Sequence, residues 1–102
     1  MREKLVRGLI PGMDRRANGG RRFRTAERHE MPGLLRRKVA EEAEELIYAE
    51  PDEVLYEAAD TIEAAYALAE EYGFSRAQVD AAREKKAADF GGFREGQVMR
   101  LD

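Results

Sequence analysis

Two helix-breaking residues, Pro51 and Gly73, divide the region from residue 34 to residue 90 into three segments. The residue before a proline is pushed out of the helical conformation, and glycine is the commonest residue just beyond a helix end. Within each segment the apolar residues recur at the helical period of about 3.6. The pattern therefore predicts three helices separated by short links.

The first predicted helix runs from Leu34 to Ala49, and the second runs from a cap at Asp52 to about Tyr72. The third opens with a capping box at Ser75–Gln78 and ends before Gly91. Because short links favour antiparallel neighbours, we predict an all-α fold, an antiparallel helical bundle of three main helices plus an N-terminal arm. The residues predicted to point inward are Leu35, Val39, Ala43, Leu46 and Ile47 in the first helix; Leu55, Ala58, Ala59, Ile62, Ala65, Tyr66 and Ala69 in the second; and Val79, Ala82 and Phe90 in the third.

A chain of 102 residues has the size of one domain, so residues 1–102 are predicted to form a single unit. We divide it into an N-terminal arm (1–33), a helical core (34–90) and a tail (91–102). Three helices of this length make a thin core. We therefore expect a homodimer or homotetramer that completes a four-helix or larger bundle.

Charge is distributed unevenly along the chain. Residues 1–28 carry nine Lys/Arg and three Asp/Glu, whereas residues 29–102 carry nine Lys/Arg and eighteen Asp/Glu. A basic arm beside an acidic body suits docking on that body, holding a polyanionic substrate, or contacting nucleic acid. One interpretation is thus a non-catalytic helical dimer whose arm binds nucleic acid or a protein partner, although the charges are too dispersed for nucleic acid to be the favoured ligand.

The chain has no cysteine, which excludes a disulfide scaffold and a thiolate metal site. No apolar run approaches 18 residues, and the first residues are not followed by the apolar region of a signal peptide. We expect a soluble, cytoplasmic protein with no membrane partner.

The acidic residues of the first two predicted helices form an unusual pattern. Four glutamates lie within residues 41–45, and Glu57 and Asp60 follow one helix later. Residues three or four apart share a helix face, where like charges repel. In the first helix the cations of residues 36–38 precede the glutamates, which is opposite to the arrangement that the helix dipole favours. Helix stability alone does not explain this pattern.

Two interpretations of the pattern remain open. The glutamates form a solvated face, with Lys38–Glu42 and Arg37–Glu41 as ion pairs four residues apart. Alternatively, the two helices bring four carboxylates into one groove, where protons or hard cations must compensate their charge. Oxygen ligands suit Mg²⁺ or Mn²⁺ rather than zinc. Such an ion has either a catalytic or a purely structural role.

The motif Glu41-Glu42-x-x-Glu45 followed by Glu57-x-x-Asp60 resembles the metal-binding signature of the all-α nucleoside triphosphate pyrophosphohydrolases, the MazG-like and phosphoribosyl-ATP pyrophosphohydrolase-like group. Three further segments, residues 4–11, 57–68 and 85–93, resemble parts of one compact branch of this group in the same order. The chain departs from that branch at Gly8 and Gly12, where its members commonly carry acidic residues.

The resemblance implies hydrolysis of a nucleoside triphosphate or a related nucleotide between the α and β phosphates, giving monophosphate and pyrophosphate, as in clearance of the nucleotide pool. It implies that Glu42, Glu45, Glu57 and Asp60 hold Mg²⁺, with Mn²⁺ as the alternative ion, and that Glu41 is a catalytic base or an outer ligand. Because charge develops on phosphoryl oxygens, cations should converge on the substrate. The candidates for phosphate binding are Lys38, Arg7, Lys86, Lys85 and Arg94.

Overall fold

The computed structural model describes residues 2–102, and within this range it contains four α-helices and no β-strand. The helices are α1 (Ile10–Arg16), α2 (Met31–Ile47), α3 (Val54–Glu71) and α4 (Arg76–Phe90). Short 3-10 turns at Arg28–Glu30 and Pro51–Glu53 lead directly into α2 and α3. The prediction of an all-α fold is confirmed. The three predicted helices correspond to α2, α3 and α4, and α1 lies in the predicted arm.

Helix α2 begins at Met31, three residues earlier than predicted. Pro32 lies in its first turn, where the missing N–H costs nothing because the first N–H groups of a helix have no partner within it. Met31, Pro32 and Gly33 are therefore helical, and the predicted boundary between arm and core falls inside α2. The helix ends at Ile47, before Pro51 can interrupt it.

The prediction that Asp52 caps the second helix is wrong. The N-cap position of the turn that precedes α3 is occupied by Glu50. Its N–H donates to Oε1 of Glu53 at 3.1 Å, while the Glu53 N–H donates to the Glu50 carbonyl at 2.8 Å. The Glu53 carboxylate thus occupies a helix N-terminus, where both the free N–H groups and the dipole favour an anion.

The capping box of α4 is present as predicted. Ser75 Oγ accepts a hydrogen bond from the Gln78 N–H at 3.1 Å, and Gln78 Oε1 accepts one from the Ser75 N–H at 2.8 Å. The helix ends at Gly91, whose φ of 83° lies in the left-handed region that glycine adopts without strain.

The core lies between α2 and α3 and is thin. Its buried apolar residues within the described range are Leu34, Leu35 and Ala64. The face of α3 that contains Ala64 is directed at α2. Leu55 is 71% exposed and Ile62 is 53% exposed. The predicted inward positions of these two residues are therefore wrong for the single chain, because no element within residues 2–102 covers them. Ile47 at the end of α2 is likewise 74% exposed.

Helix α4 touches the rest of the chain mainly near its beginning. The Tyr66 hydroxyl donates to Oδ1 of Asp80 at 2.5 Å. Val79 is half-buried as predicted, but Ala82 is exposed and Phe90 is 83% exposed, so these two inward positions are wrong. Residues 81–90, the second half of α4, are all exposed, so within residues 2–102 no other element packs against them. Among residues 2–102, no helix combines the length and apolar character needed to cross a membrane.

We predict that Ser75→Ala destabilises α4 by about 1 kcal/mol, because the substitution removes the acceptor for the Gln78 N–H. Urea unfolding followed by helical circular dichroism measures the loss. Ser75→Asp is the matched control, because aspartate also caps helices and should retain most of the stability. Equal stability of the alanine and aspartate variants would contradict the role of the cap.

Candidate metal centre

Helices α2 and α3 bring three carboxylates together. Glu42 on α2 and Glu57 and Asp60 on α3 each offer one oxygen, and these oxygens lie within 4.8 Å of one another. Glu57 and Asp60 share a face because they are three residues apart, and that face is directed at α2. The cluster therefore combines residues from the two separate acidic motifs of the sequence.

Two oxygens of this cluster are buried and have no hydrogen-bond donor. Glu42 is only 7% exposed, and its Oε2 atom has no partner within the described residues. Oε2 of Glu57 on the facing helix is likewise buried and has no hydrogen-bond partner within the described residues. An unpaired buried anionic oxygen is costly, and two of them near each other repel as well. A hard divalent cation, which prefers carboxylate oxygens, would satisfy both, so the donor set fits Mg²⁺ or Mn²⁺.

Thr61 holds the two helices together at this position. Its hydroxyl oxygen lies 2.8 Å from the Glu57 carbonyl and 3.2 Å from the Glu42 carbonyl. One hydroxyl proton can serve either carbonyl, and both belong to residues of the carboxylate cluster. Thr61 was not among the predicted site residues. The one feature of the sequence that could have indicated it is its position directly after Asp60.

Glu45 lies beside the cluster but outside the group of three whose oxygens converge. Its pKa is raised, first by partial loss of solvation and then by the negative charges of Glu42, Glu57 and Glu41. The carboxyl group therefore responds to the charge of the cluster.

Glu41 faces lysines instead of the other carboxylates. Its Oε1 atom lies 3.1 Å from Lys4 Nζ and 3.5 Å from Lys38 Nζ. Partial burial works to raise its pKa, but the hydrogen bonds and positive charges of the two lysines outweigh this effect and lower it. Lys4 was not among the predicted site residues, and it reaches Glu41 from 37 positions away in the sequence.

Lys38 is half of an ion pair and also borders the cluster. Its Nζ lies 3.1 Å from Oε1 of Glu42, and its side chain is only 16% exposed. The pairing expected for a solvated face is thus present, but in a partly buried setting. The other pairing expected for such a face, Arg37–Glu41, is absent from the described residues. Arg7 NH2 lies 2.6 Å from Oδ1 of Asp60.

Three of the predicted phosphate-binding residues lie elsewhere. Lys85 pairs with Asp89 along α4 at 2.7 Å. Lys86 and Arg94 are exposed, and within residues 2–102 no ion pair joins either of them to the carboxylates. In the single chain the structure brings Lys38 and Arg7 to the cluster but not these three.

Much of the basic arm docks on acidic groups of the same chain. Arg24 contacts Glu3 at 2.9 Å and Glu30 at 2.7 Å. The hydrogen bond from Arg24 and a second one from the Glu27 N–H lower the pKa of Glu30 to about 2. Arg28 lies 3.3 Å from Glu71 at the end of α3. Of the three uses that the charge pattern allowed, docking on the acidic body is the one observed.

A groove of about 430 Å³ separates residues 2–5 from α2. Its wall contains Lys4, Arg37 and Lys38, with glutamates between them. Because Lys38 also contacts Glu42, the groove opens at the edge of the carboxylate cluster.

Comparison with known families shows to which family the chain belongs. The sequence model of the phosphoribosyl-ATP pyrophosphohydrolase family matches residues 6–86. The chain belongs to this family. The matched range contains all the acidic residues of the cluster, and the resemblance inferred from the motifs is confirmed. Membership of a pyrophosphohydrolase family supports a hydrolase that acts on nucleotides. No curated protein and no solved structure gives a significant match.

We predict that Glu57→Gln stabilises the metal-free protein by roughly 0.5 kcal/mol, because it removes a repelling charge and adds an amide donor. The same substitution should remove most of the rise in melting temperature that Mg²⁺ produces. Thermal unfolding in chelator and in Mg²⁺ measures both effects. Glu44→Gln is the matched control, since Glu44 is exposed on α2 and makes no ion pair within the described range. A destabilised Glu57→Gln protein in chelator would contradict this account of the cluster.

Proposed function

We propose that the protein hydrolyses a nucleoside triphosphate or related nucleotide between the α and β phosphates in a Mg²⁺-dependent reaction, giving monophosphate and pyrophosphate. The observation that carries this proposal is the convergence of Glu42, Glu57 and Asp60, with two buried and unpaired oxygens, in a chain of a pyrophosphohydrolase family. The nucleotide pool on which such an enzyme acts is cytoplasmic, and we propose that the protein works there.

The carboxylates have distinct roles in the proposal. Glu42, Glu57 and Asp60 hold the metal, and Glu45 completes the set from the next turn of α2. Bound Mg²⁺ supplies charge neutralisation at phosphate oxygens and lowers the pKa of water. Glu45 lies three residues after Glu42 on α2, and the negative charges of Glu42 and Glu57 act on its carboxyl group, which supports its inclusion.

Glu41 is proposed as the base or as an outer ligand. The low pKa of its carboxyl group keeps it ionised, and its contacts with Lys4 and Lys38 favour a role in orienting those lysines. Lys38 and Arg7 are proposed to bind the phosphates, because both already lie at the edge of the cluster. Lys85 and Lys86 on α4 and Arg94 in the tail remain candidates in an assembly where these parts of one copy reach the site of another.

The preferred nucleotide is a separate question. The family name points to phosphoribosyl-ATP, and free nucleoside triphosphates contain the same anhydride. A Cβ atom at Gly8 would meet no atom within 4 Å, and one at Gly12 would meet the Arg16 side chain at 3.4 Å. Neither glycine is therefore required by crowding at the Cβ position, and what distinguishes this chain from its relatives there is the missing negative charge. We propose that it alters substrate preference.

We predict that the protein with Mg²⁺ releases pyrophosphate from members of a panel containing phosphoribosyl-ATP and the common ribo- and deoxyribonucleoside triphosphates. Glu42→Gln and Asp60→Asn should each lower the rate by about 100-fold or more, because each removes a charged ligand from the cluster. A coupled pyrophosphate assay, with chromatography of the monophosphate product, measures both.

Glu44→Gln serves again as the control and should retain the wild-type rate. Unchanged turnover in both cluster variants would refute the proposed site, while failure of every substrate would refute the activity. Release of inorganic phosphate in place of pyrophosphate would refute the position of the cleaved bond.

We also propose that the protein forms a homodimer or homotetramer. The support is the apolar surface left open by the single chain, which includes Leu55 and Ile62 on α3 and Phe90 on α4. Helix α3 has a continuous apolar side at helical spacing, and burial of such a side normally supplies most of the stability of a helix of this kind. A second copy would supply the cover that the chain lacks.

We predict that Ile62→Asp converts the assembly to monomers, because it introduces a charge into the uncovered side of α3. Light scattering coupled to size exclusion measures the mass. Leu9→Asp is the control, since Leu9 is 79% exposed next to α1 and away from that side. A monomeric wild-type protein would contradict the proposal.

A further inference from the structure

One short segment of the arm contacts acidic residues on both helices of the site. Lys4 Nζ lies 3.1 Å from Oε1 of Glu41 on α2, and Arg7 NH2 lies 2.6 Å from Oδ1 of Asp60 on α3. The two cations are three residues apart, so residues 4–7 span the gap between the helices. Among the described residues, Arg7 of this segment and Lys38 are the cations that pair with the cluster.

The contact of Arg7 involves a carboxylate of the proposed metal centre. Asp60 offers one oxygen to the group of three that converge, and its side chain also receives the guanidinium. A divalent cation held by Asp60 would lie a few ångströms from the positive charge of Arg7. The two cations would repel, and the metal would withdraw negative charge from the carboxylate that attracts Arg7. Occupation by metal and pairing with Arg7 should therefore oppose each other.

The segment is built so that its charged side chains can leave without unfolding the core. Residues 2–7 have no helix or strand that would have to break. The side chains of Lys4 and Arg7 are 64% and 59% exposed, whereas Leu5 and Val6 between them are half-buried. The apolar pair fixes the backbone against the body, and the two cations are free to turn.

We propose that Arg7 is a built-in counter-ion of the carboxylate cluster, that a divalent cation displaces it from Asp60, and that metal loading thereby releases Arg7 to bind substrate phosphate. The first half concerns metal binding alone. The second half rests on the proposed function. In this scheme the same guanidinium neutralises an acid before the metal arrives and contacts the phosphate afterwards, so metal and nucleotide bind in a favoured order.

A role for Arg7 in positioning Asp60 predicts the opposite change in metal affinity. If Arg7 only oriented Asp60 as a ligand, its removal would weaken metal binding, as loss of a group that positions a ligand does. If Arg7 competes with the metal, its removal strengthens metal binding. The sign of one measured change therefore separates the two roles.

The test is calorimetric titration of Mn²⁺ into nucleotide-free protein. Arg7→Gln should lower the apparent Kd by about twofold to fivefold, the range expected from the free energy of an exposed ion pair. Arg22→Gln is the matched control, because it makes the same charge change in the arm and Arg22 has no ion pair among the described residues. A Kd for Arg7→Gln that equals or exceeds that of Arg22→Gln overturns the proposal.

A second measurement uses the unaltered chain and does not depend on how the variant folds. Trypsin cleaves after Arg7, whose side chain should become more accessible when metal displaces it from Asp60. Mass spectrometry should show faster cleavage after Arg7 in Mg²⁺ than in chelator, relative to cleavage after Arg22 in the same sample. Equal relative rates overturn displacement of Arg7 from Asp60.

The final step addresses the phosphate contact. With Mn²⁺ at saturation, Arg7→Gln should bind a non-hydrolysable triphosphate analogue several-fold more weakly than Arg22→Gln. Tighter metal binding with unchanged analogue binding overturns the second half and leaves the counter-ion role in place. Pyrophosphate release with no change in metal affinity overturns the counter-ion role and leaves the proposed function standing. A wild-type protein that binds no Mn²⁺ overturns both.

Discussion

The packing of α2 against α3 is the contact on which the site depends, and it works against electrostatic repulsion. It brings the buried carboxylate of Glu42 to Glu57 and Asp60, although like charges in a partly dry groove repel. The apolar residues available to oppose that repulsion are few, and Thr61 contributes a hydroxyl between the two helix backbones. The helices thus hold an arrangement that costs stability in the free chain, which is a property expected of the proposed metal site.

The sequence was most informative where one local rule governs the outcome. Spacing on a helix predicted that Glu57 and Asp60 share a face, and the Ser75–Gln78 box predicted the start of α4. Prediction was poorer where a choice depended on the whole chain. The apolar period of α4 correctly indicated a helix, but it could not show that Phe90 has no neighbour to pack against. Likewise, aspartate is a strong capping residue and glutamate a weak one, so the sequence predicted a cap at Asp52 although the structure has Glu50 at the N-cap position.

The contacts of the candidate site that were not predicted join residues far apart in the sequence. Lys4 and Arg7 reach acids 37 and 53 residues away, and no periodicity relates an irregular arm to a helix. The sequence made Arg7 a candidate for phosphate binding but gave no reason to place it on Asp60. Conversely, Lys85, Lys86 and Arg94 share the charge that phosphate needs but lie on parts of the chain that do not approach the cluster. Residue type alone could not separate these two groups.

The arm is fastened to the body largely through ion pairs, and this has a consequence for how the molecule responds to ionic strength. Added salt screens exposed pairs such as Lys4–Glu41 and Arg7–Asp60, which loosens the arm. The same salt also screens repulsion among the carboxylates, although less so where they are buried. The two effects have opposite signs and act on different parts of the chain. The arm and the helical pair should therefore respond separately as the electrolyte concentration rises.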